Sequence, residues 1–550
     1  MMKKLCTLLA LVFCFNGKAQ TWQWAKSGVS STTTATSEGY SVATDKLGNV
    51  YATGFFSSPS ITFGTYTLTN MGTNNGDVFL TKYDANGNVL WAKSGGGIDA
   101  DFGHCVTTDA SDNVYVMGYF FSPTLVFGTY TLTNTGNSSI FLVKYSPTGT
   151  VLWAKNSFGT GGCEGYGAAT DDFGNIYITG DFGTSPITFG TYTISPSGTL
   201  NLFLAKYDSS GNALWAKSAT GSTYTWGNSV ATDASGNIYI TGRFNSPSLT
   251  FGTYTVTNAG TESIFLTKYD ASGNTLWAKG ALGAGTIIGN GLTTDALSNI
   301  YLTGGFNSSS FTIDTYTLTN TGSNDAFIAK YDVSGNLLWA KSGVGAGYDA
   351  GYNIATDTLG NVYMAGSFSY GSVNSITFGT TTLPFPSGGT DPMFVVKYTS
   401  SGNPICALGL GSGGDDACGV ATDVSGNVFA GGDFMMNPFI VGTTTLSLSG
   451  QEDVFVAKAN FNCQQTGIEE LNNNEIVNIY PNPNNGSFVL EPSSATKQTM
   501  QVYDVNGKLV LSQTINGTTS VDANALNEGV YNISLQSNEG VVNKRIVIVK

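Results

Sequence analysis

Short runs of alternating apolar and polar residues, broken by turn-forming stretches, recur from about residue 37 to residue 461. One unit sets the pattern. Ser41-Val42-Ala43-Thr44 is a small-residue strand, A, and Asp45-Lys46-Leu47-Gly48 turns the chain. Asn49 to Phe56 reads as strand B. A longer connection leads to strand C, Val78 to Tyr83, then to the turn Asp84-Ala85-Asn86-Gly87 and strand D, Asn88 to Lys93. Alternation over four to eight residues between turn signals predicts half-buried strands. The turn Asp can accept a backbone N–H two residues on, and Gly at the fourth place tolerates a positive φ.

The unit repeats. Trp-Ala-Lys begins at Trp24, Trp91, Trp153, Trp215, Trp277 and Trp339, in steps of 67, 62, 62, 62 and 62, and an eroded copy follows at Pro404-Ile405-Cys406-Ala407. The turn phrase starts at Thr44, Thr108, Thr170, Thr232, Thr294, Thr356 and Thr422, and the strand C phrase at Phe79, Phe141, Phe203, Phe265, Phe327, Phe394 and Phe455. Seven four-stranded units predict a seven-bladed β-propeller. The ends are complementary: Thr21 to Lys26 is a D strand with no blade, and the seventh unit stops after strand C, Val454 to Phe461. The N-terminal strand is therefore expected to complete the last blade, removing the open edges of a linear array. Lysines on strands C and D, such as Lys82 and Lys93, are expected to face solvent beside packed aromatics, with no anion-binding role. The B–C connections repeat Phe-Gly-Thr-Tyr-Thr, as at Phe63 to Thr67, and predict a small packing hairpin.

Composition agrees. Gly is 71 of 550 residues and charged residues are 11 %, which suits short strands and tight turns better than long helices. The net charge of −14 argues against a nucleic-acid partner. Lys3, Lys4, the apolar run Leu5 to Phe15 and Gly17-Lys18-Ala19 read as a Sec-type signal peptide over 1–19. The run is too short to span a bilayer, and no later stretch qualifies. Five cysteines remain, and Cys406 with Cys418, flanking the last D–A connection, is a candidate disulfide.

The phrases Gly-Asn-Val-Tyr-x-Thr-Gly, Phe-x-x-Lys-Tyr-Asp and Gly-Asn-x-Leu-Trp-Ala-Lys-Ser resemble the SBBP-type β-propeller repeat proteins of bacteria over about 20–462. That family implies a propeller and secretion but no single activity. After a polar linker, 463–474, residues 475–550 change character. Tyr480-Pro481-Asn482-Pro483 with Gly486, Tyr503-Asp504 with Gly507, Gly529-Val530-Tyr531 and the terminal strand to Lys550 resemble the type A C-terminal sorting domain of the type IX secretion system, a small β-sandwich. The resemblance implies engagement of that machinery, export after the Sec step, and release or attachment at the outer-membrane surface.

In a propeller the D–A and B–C loops share one face. Five places upstream of each turn Asp stand Tyr40, His104, Tyr166, Asn228, Asn290, Tyr352 and Cys418, expected to ring the central channel. Glu38, Asp99, Asp101, Glu164, Trp226, Asp349, Asp415 and Asp416 lie near them. Aromatics beside carboxylates suit a sugar, a cation or a peptide. His104 is the chain's only histidine and has no Gly-x-Ser-x-Gly elbow to serve. Gly409 to Gly414 matches Gly-x-Gly-x-x-Gly but opens no helix, and neither cysteine nor carboxylate spacing fits a metal site. No cofactor or metal is expected. The reading is a secreted or surface-attached, non-catalytic binding or scaffold propeller for an extracellular glycan or protein. The alternatives are a polysaccharide-active enzyme on the same scaffold and a structural or adhesive surface component.

Overall fold

The computed structural model describes residues 21–72, 75–369, 375–385, 391–412, 419–461, 463, 477–492, 497–504, 508–537 and 540–550. The expected signal peptide, Cys418, Asp415, Asp416 and Gly507 lie outside them. The described residues are all strand, turn and irregular chain, so the fold is all-β. The chain divides into two compact units, 1–464 and 465–550.

In the first unit, each repeat forms an antiparallel sheet in the order A-B-C-D. In the first repeat these strands are Ser37–Thr44, Val50–Phe56, Asp77–Tyr83 and Val89–Gly95. The final repeat has Gly419–Thr422, Val428–Phe434 and Asp453–Asn460, and its fourth strand is Thr21–Ser27, paired from Thr21 opposite Asn460 to Ser27 opposite Phe455. The hydroxyl that ends each strand A donates to the preceding strand A: Thr108 to Thr44 O, Thr170 to Thr108 O, Thr232 to Thr170 O, Thr294 to Thr232 O, Thr356 to Thr294 O, Thr422 to Thr356 O, and Thr44 to Thr422 O at 2.7 Å. The B–C hairpin is present, as Ser60–Phe63 with Tyr66–Thr69, and the first of these strands pairs with Val29–Ser30 beyond the N-terminal strand D.

The repeated phrases hold the repeats together. Asp45 accepts from the Asn49 and Leu47 amides, from the Asn49 side chain and from the Tyr51 hydroxyl at 2.9 Å. Lys82 joins it at 3.1 Å and lies 4.9 Å from the Tyr51 ring centre. Its ammonium continues to Pro147 O of the next repeat, where the Trp91 indole N–H also donates. Lys144 and Trp153 converge in the same way on Ser209 O, and Lys330 and Trp339 on Ser400 O. Six of the seven strand C lysines are therefore buried, and Lys397 is half-buried, against the expectation of solvent exposure. Charge neutralisation by the turn Asp, the aromatic face and a carbonyl acceptor together offset the cost of dehydrating the ammonium. The turn glycine seals the clamp: Gly149 sits at φ 81° with its α-carbon against Trp91, where a Cβ would come within 3.1 Å of the ring.

Cys406 occupies the clamp tryptophan's place in the sixth repeat. It is disulfide-bonded to Cys463, not to Cys418. The Lys397 ammonium reaches Phe461 O, and Phe461 packs on Tyr363, so the chain leaving the last strand is delivered to Cys406. A covalent bond replaces the indole clamp at this joint.

The second unit holds a three-stranded sheet (Val477–Tyr480, Ser487–Pro492, Thr519–Asp522) and a four-stranded sheet (Leu509–Asn516, Lys497–Tyr503, Gly529–Ser537, Gly540–Ile548). Phe488, Leu490, Met500, Val502, Ile533 and Ile546 share one buried cluster. Pro481 and Pro483 flank Asn482, which accepts from Val547 N and donates to Arg545 O, both at 2.8 Å. Gly486, at φ 101°, donates to Asn484, and its carbonyl accepts from Ala523 N. The Tyr531 hydroxyl donates to Asn527 O, Asp504 accepts from Lys508 N, and the Lys550 ammonium reaches Asn524 O. The motif residues thus tie the terminal strand to the turns beside it.

Candidate functional site: the central channel

A channel of about 810 Å³ is lined by the A strands, with Tyr40, His104, Tyr166, Trp226, Asn228, Asn290, Arg243, Tyr348 and Tyr352 at its wall. Each of the six ringing positions among the described residues is a β-bulge. Tyr40 is the residue left over between the pairs Gly39–Gly54 and Ser41–Thr53, and His104, Tyr166, Asn228, Asn290 and Tyr352 are left over at the matching places. A bulge releases one residue from the ladder and re-aims its side chain. Glycine makes room. Opposite the bulge in strand B, a Cβ on Gly54 would stand 1.8 Å from Glu38 O, and one on Gly118 1.9 Å from Phe102 O.

The lining is uneven. His104 stacks on Tyr40 at 4.5 Å and on Tyr119 at 5.3 Å, with Tyr166 edge-on at 5.5 Å. Phe55, Phe102 and Phe121 extend this cluster outward. Burial among the rings lowers the His104 pKa to about 4, so the imidazole is neutral at physiological pH. Tyr40 donates to Glu38 at 2.7 Å and Tyr166 to Glu164 at 2.6 Å. Burial, then Glu38 beside Tyr40 and Asp181 with Glu164 beside Tyr166, hold both phenols well above their ordinary range. Across the channel the Asn228 and Asn290 amides donate to Gly289 O and Gly351 O of the next repeats, and Ser367 donates to the Tyr352 hydroxyl.

Trp226 stands two residues before its bulge, with the Arg243 guanidinium 4.4 Å from its ring centre and Tyr224 stacked at 5.6 Å. Arg243 also pairs with Glu262 at 3.6 Å.

Two expected site residues lie elsewhere. Asp101 and Asp349 are fully buried where one repeat meets the next. Asp101 accepts from the Ser122 hydroxyl, and its pKa is raised to about 7 by burial, with a smaller contribution from Asp77. Asp349 is raised to about 8 by burial and then by Asp325. Both begin strand A, three residues ahead of the bulge, and in an antiparallel pair that places them on the packed face. Arg243 and Tyr119, from strand B, were missed by reading along strand A alone. Their signal is a strand B position that varies among the repeats: Phe55, Tyr119, Asp181, Arg243, Gly305, Ser367 and Asp433.

Residues 478–549 match the secretion system C-terminal sorting domain family, and residues 215–247 match the β-propeller repeat family. The chain therefore carries an SBBP β-propeller repeat and a type IX sorting domain, which implies a secreted or surface protein. It is 31 % identical over 336 residues to an uncharacterized WD repeat-containing protein of Acanthamoeba polyphaga mimivirus, covering 49 % of this chain. The chain spans about a quarter (24 %) of that relative's length. Among solved structures, it is similar to the extracellular domain of a putative one component system from B. thetaiotaomicron (9 % identity, TM-score 0.22, 93 % of this chain and 80 % of that one). It is also similar to a glycoside hydrolase of family 32 from Bifidobacterium adolescentis (8 % identity, TM-score 0.24, 96 % of each chain). Likeness at such scores says nothing of activity. Among the described residues, no helix is long and apolar enough to cross a membrane.

Proposed function

We propose that this is a non-catalytic binding protein of the cell exterior: a closed seven-bladed propeller that takes a glycan or protein partner at its channel mouth. Residues 475–550, as a small β-sandwich, hand it to the type IX machinery after Sec export. Closure is supported by the circuit of threonine hydrogen bonds that returns from Thr422 to Thr44. One observation carries the binding reading. Residues that recur in the repeats are spent on turns and inter-repeat clamps, whereas side chains freed by the bulges change around the ring and face a cavity. Recognition needs such variety, and a scaffold alone does not.

The test is binding to a glycan panel by the parent and by Tyr40→Ala/Tyr166→Ala/Tyr352→Ala. Loss in the variant, with unchanged circular dichroism, is the expected result. Equal binding by the two proteins overturns the channel-mouth site. Shortened or unsaturated polysaccharide products would replace the binding reading with an enzymatic one.

A further inference from the structure

Most buried polar side-chain atoms of the first unit have partners. Two without partners are on neighbouring side chains and are opposite in sense: Asp181 Oδ2, an acceptor, and Arg243 Nε, a donor. Asp181 is 3 % exposed. They hold the same strand B position in consecutive repeats, and the guanidinium acts electrostatically on the carboxyl. Tyr166 and Arg243 line the channel wall, and Asp181 lies behind them, interacting with both. The guanidinium face rests on Trp226 and its Nη1 points toward Glu262.

We propose that the mouth over the third and fourth repeats is a subsite for a neutral saccharide. One hydroxyl of a vicinal diol donates to Asp181, and its neighbour accepts from Arg243 Nε. A diol offers a donor and an acceptor on adjacent carbons, which is the complement of this pair. A peptide carboxylate would satisfy only the arginine, and an ammonium only the aspartate. Leaving both atoms dry and unpaired is costly, so a ligand that meets both gains more than its contact area suggests. The half-exposed Tyr224, stacked on Trp226, borders the subsite with an apolar face suited to a pyranose ring. This subsite is the glycan arm of the channel-mouth reading and rests on it.

The experiment is calorimetry with maltose, cellobiose, mannobiose, galactobiose and xylobiose on the full chain, the variants Asp181→Asn and Arg243→Lys, and the control Leu90→Ala on an exposed strand D position away from the channel lining. The expected result is one or more disaccharides that bind the parent and Leu90→Ala alike and bind each of the other two about tenfold or more weakly, at unchanged melting temperature. A monodeoxy analogue of the winning sugar should lose as much on the parent and little further on the variants. If the sugar binds all four proteins equally, but not the triple tyrosine variant, the diol subsite is overturned and the channel mouth stands. If no saccharide binds while a protein partner does, the glycan arm falls entirely.

Discussion

Replacing Cys463 by Ser removes the one covalent tie in the described residues, and the cost can be worked out in advance. The bond closes a chain segment of sequence separation 57. On the chain-entropy account, a loop of that size restricts the unfolded ensemble by about 4 kcal/mol at 25 °C. Unfolding entropy scales at about 2 cal/mol/K per residue, so a propeller of this size should melt about 4–5 °C lower without the bond. The cost should be local as well. Phe461 would lose its tether beside Tyr363, so amide exchange should rise first in Asp453–Asn460 and Thr21–Ser27. Calorimetry under non-reducing conditions, with hydrogen exchange read by mass spectrometry, measures both effects. A thiol count gives an independent check: a chain beginning at residue 20 has five cysteines, so unfolded but unreduced protein should titrate three. A melting shift under 1 °C for Cys463→Ser, or a large one for Cys418→Ser, would refute the reasoning.

Stability should fall as pH rises from about 4 to about 7–8 and level off beyond. The carboxyls of Asp77, Asp101 and Asp349 have folded pKa values of about 7, 7 and 8, above the unfolded value near 4, so their protonated forms favour the fold and the gain is lost on ionisation. Asp77→Asn and Asp349→Asn should flatten the fall in melting temperature between about pH 4 and 8, and an unchanged slope there would count against the buried-carboxyl account. Gly118→Ala should destabilise by about 1–3 kcal/mol in urea titration, because the added carbon meets Phe102 O and the backbone must yield. Deleting 474–550 should leave the product in the periplasm, and fractionation that finds it outside the cell would end the sorting role assigned to that unit.

The repeat spacing made the four-stranded sheets and the pairing of the N-terminal strand with Asp453–Asn460 readable, because turn sterics and alternation are local properties of sequence. The same periodicity picked out Tyr40, His104, Tyr166 and Tyr352, which line the cavity with Trp226. What failed were judgements that turn on side-chain contacts between neighbouring repeats. Lys82 looked like a surface residue because its carbonyl partner, Pro147, is in the next repeat. Asp101 looked like a mouth residue because nothing in its own segment marks the interface that buries it. The Cys406 pairing was open to inference, since cysteine stands where other repeats carry the clamp tryptophan, but spacing alone pointed to Cys418.

The bulges also separate two evolutionary problems. A side chain outside the ladder can be exchanged without disturbing the packing of the wedges, so the pore wall behaves like a short word spelled one letter per repeat. In the described residues that word runs Tyr, His, Tyr, Asn, Asn, Tyr. Duplication of a unit copies the scaffold and the letter together, and a single later substitution is enough to give the copy a new preference.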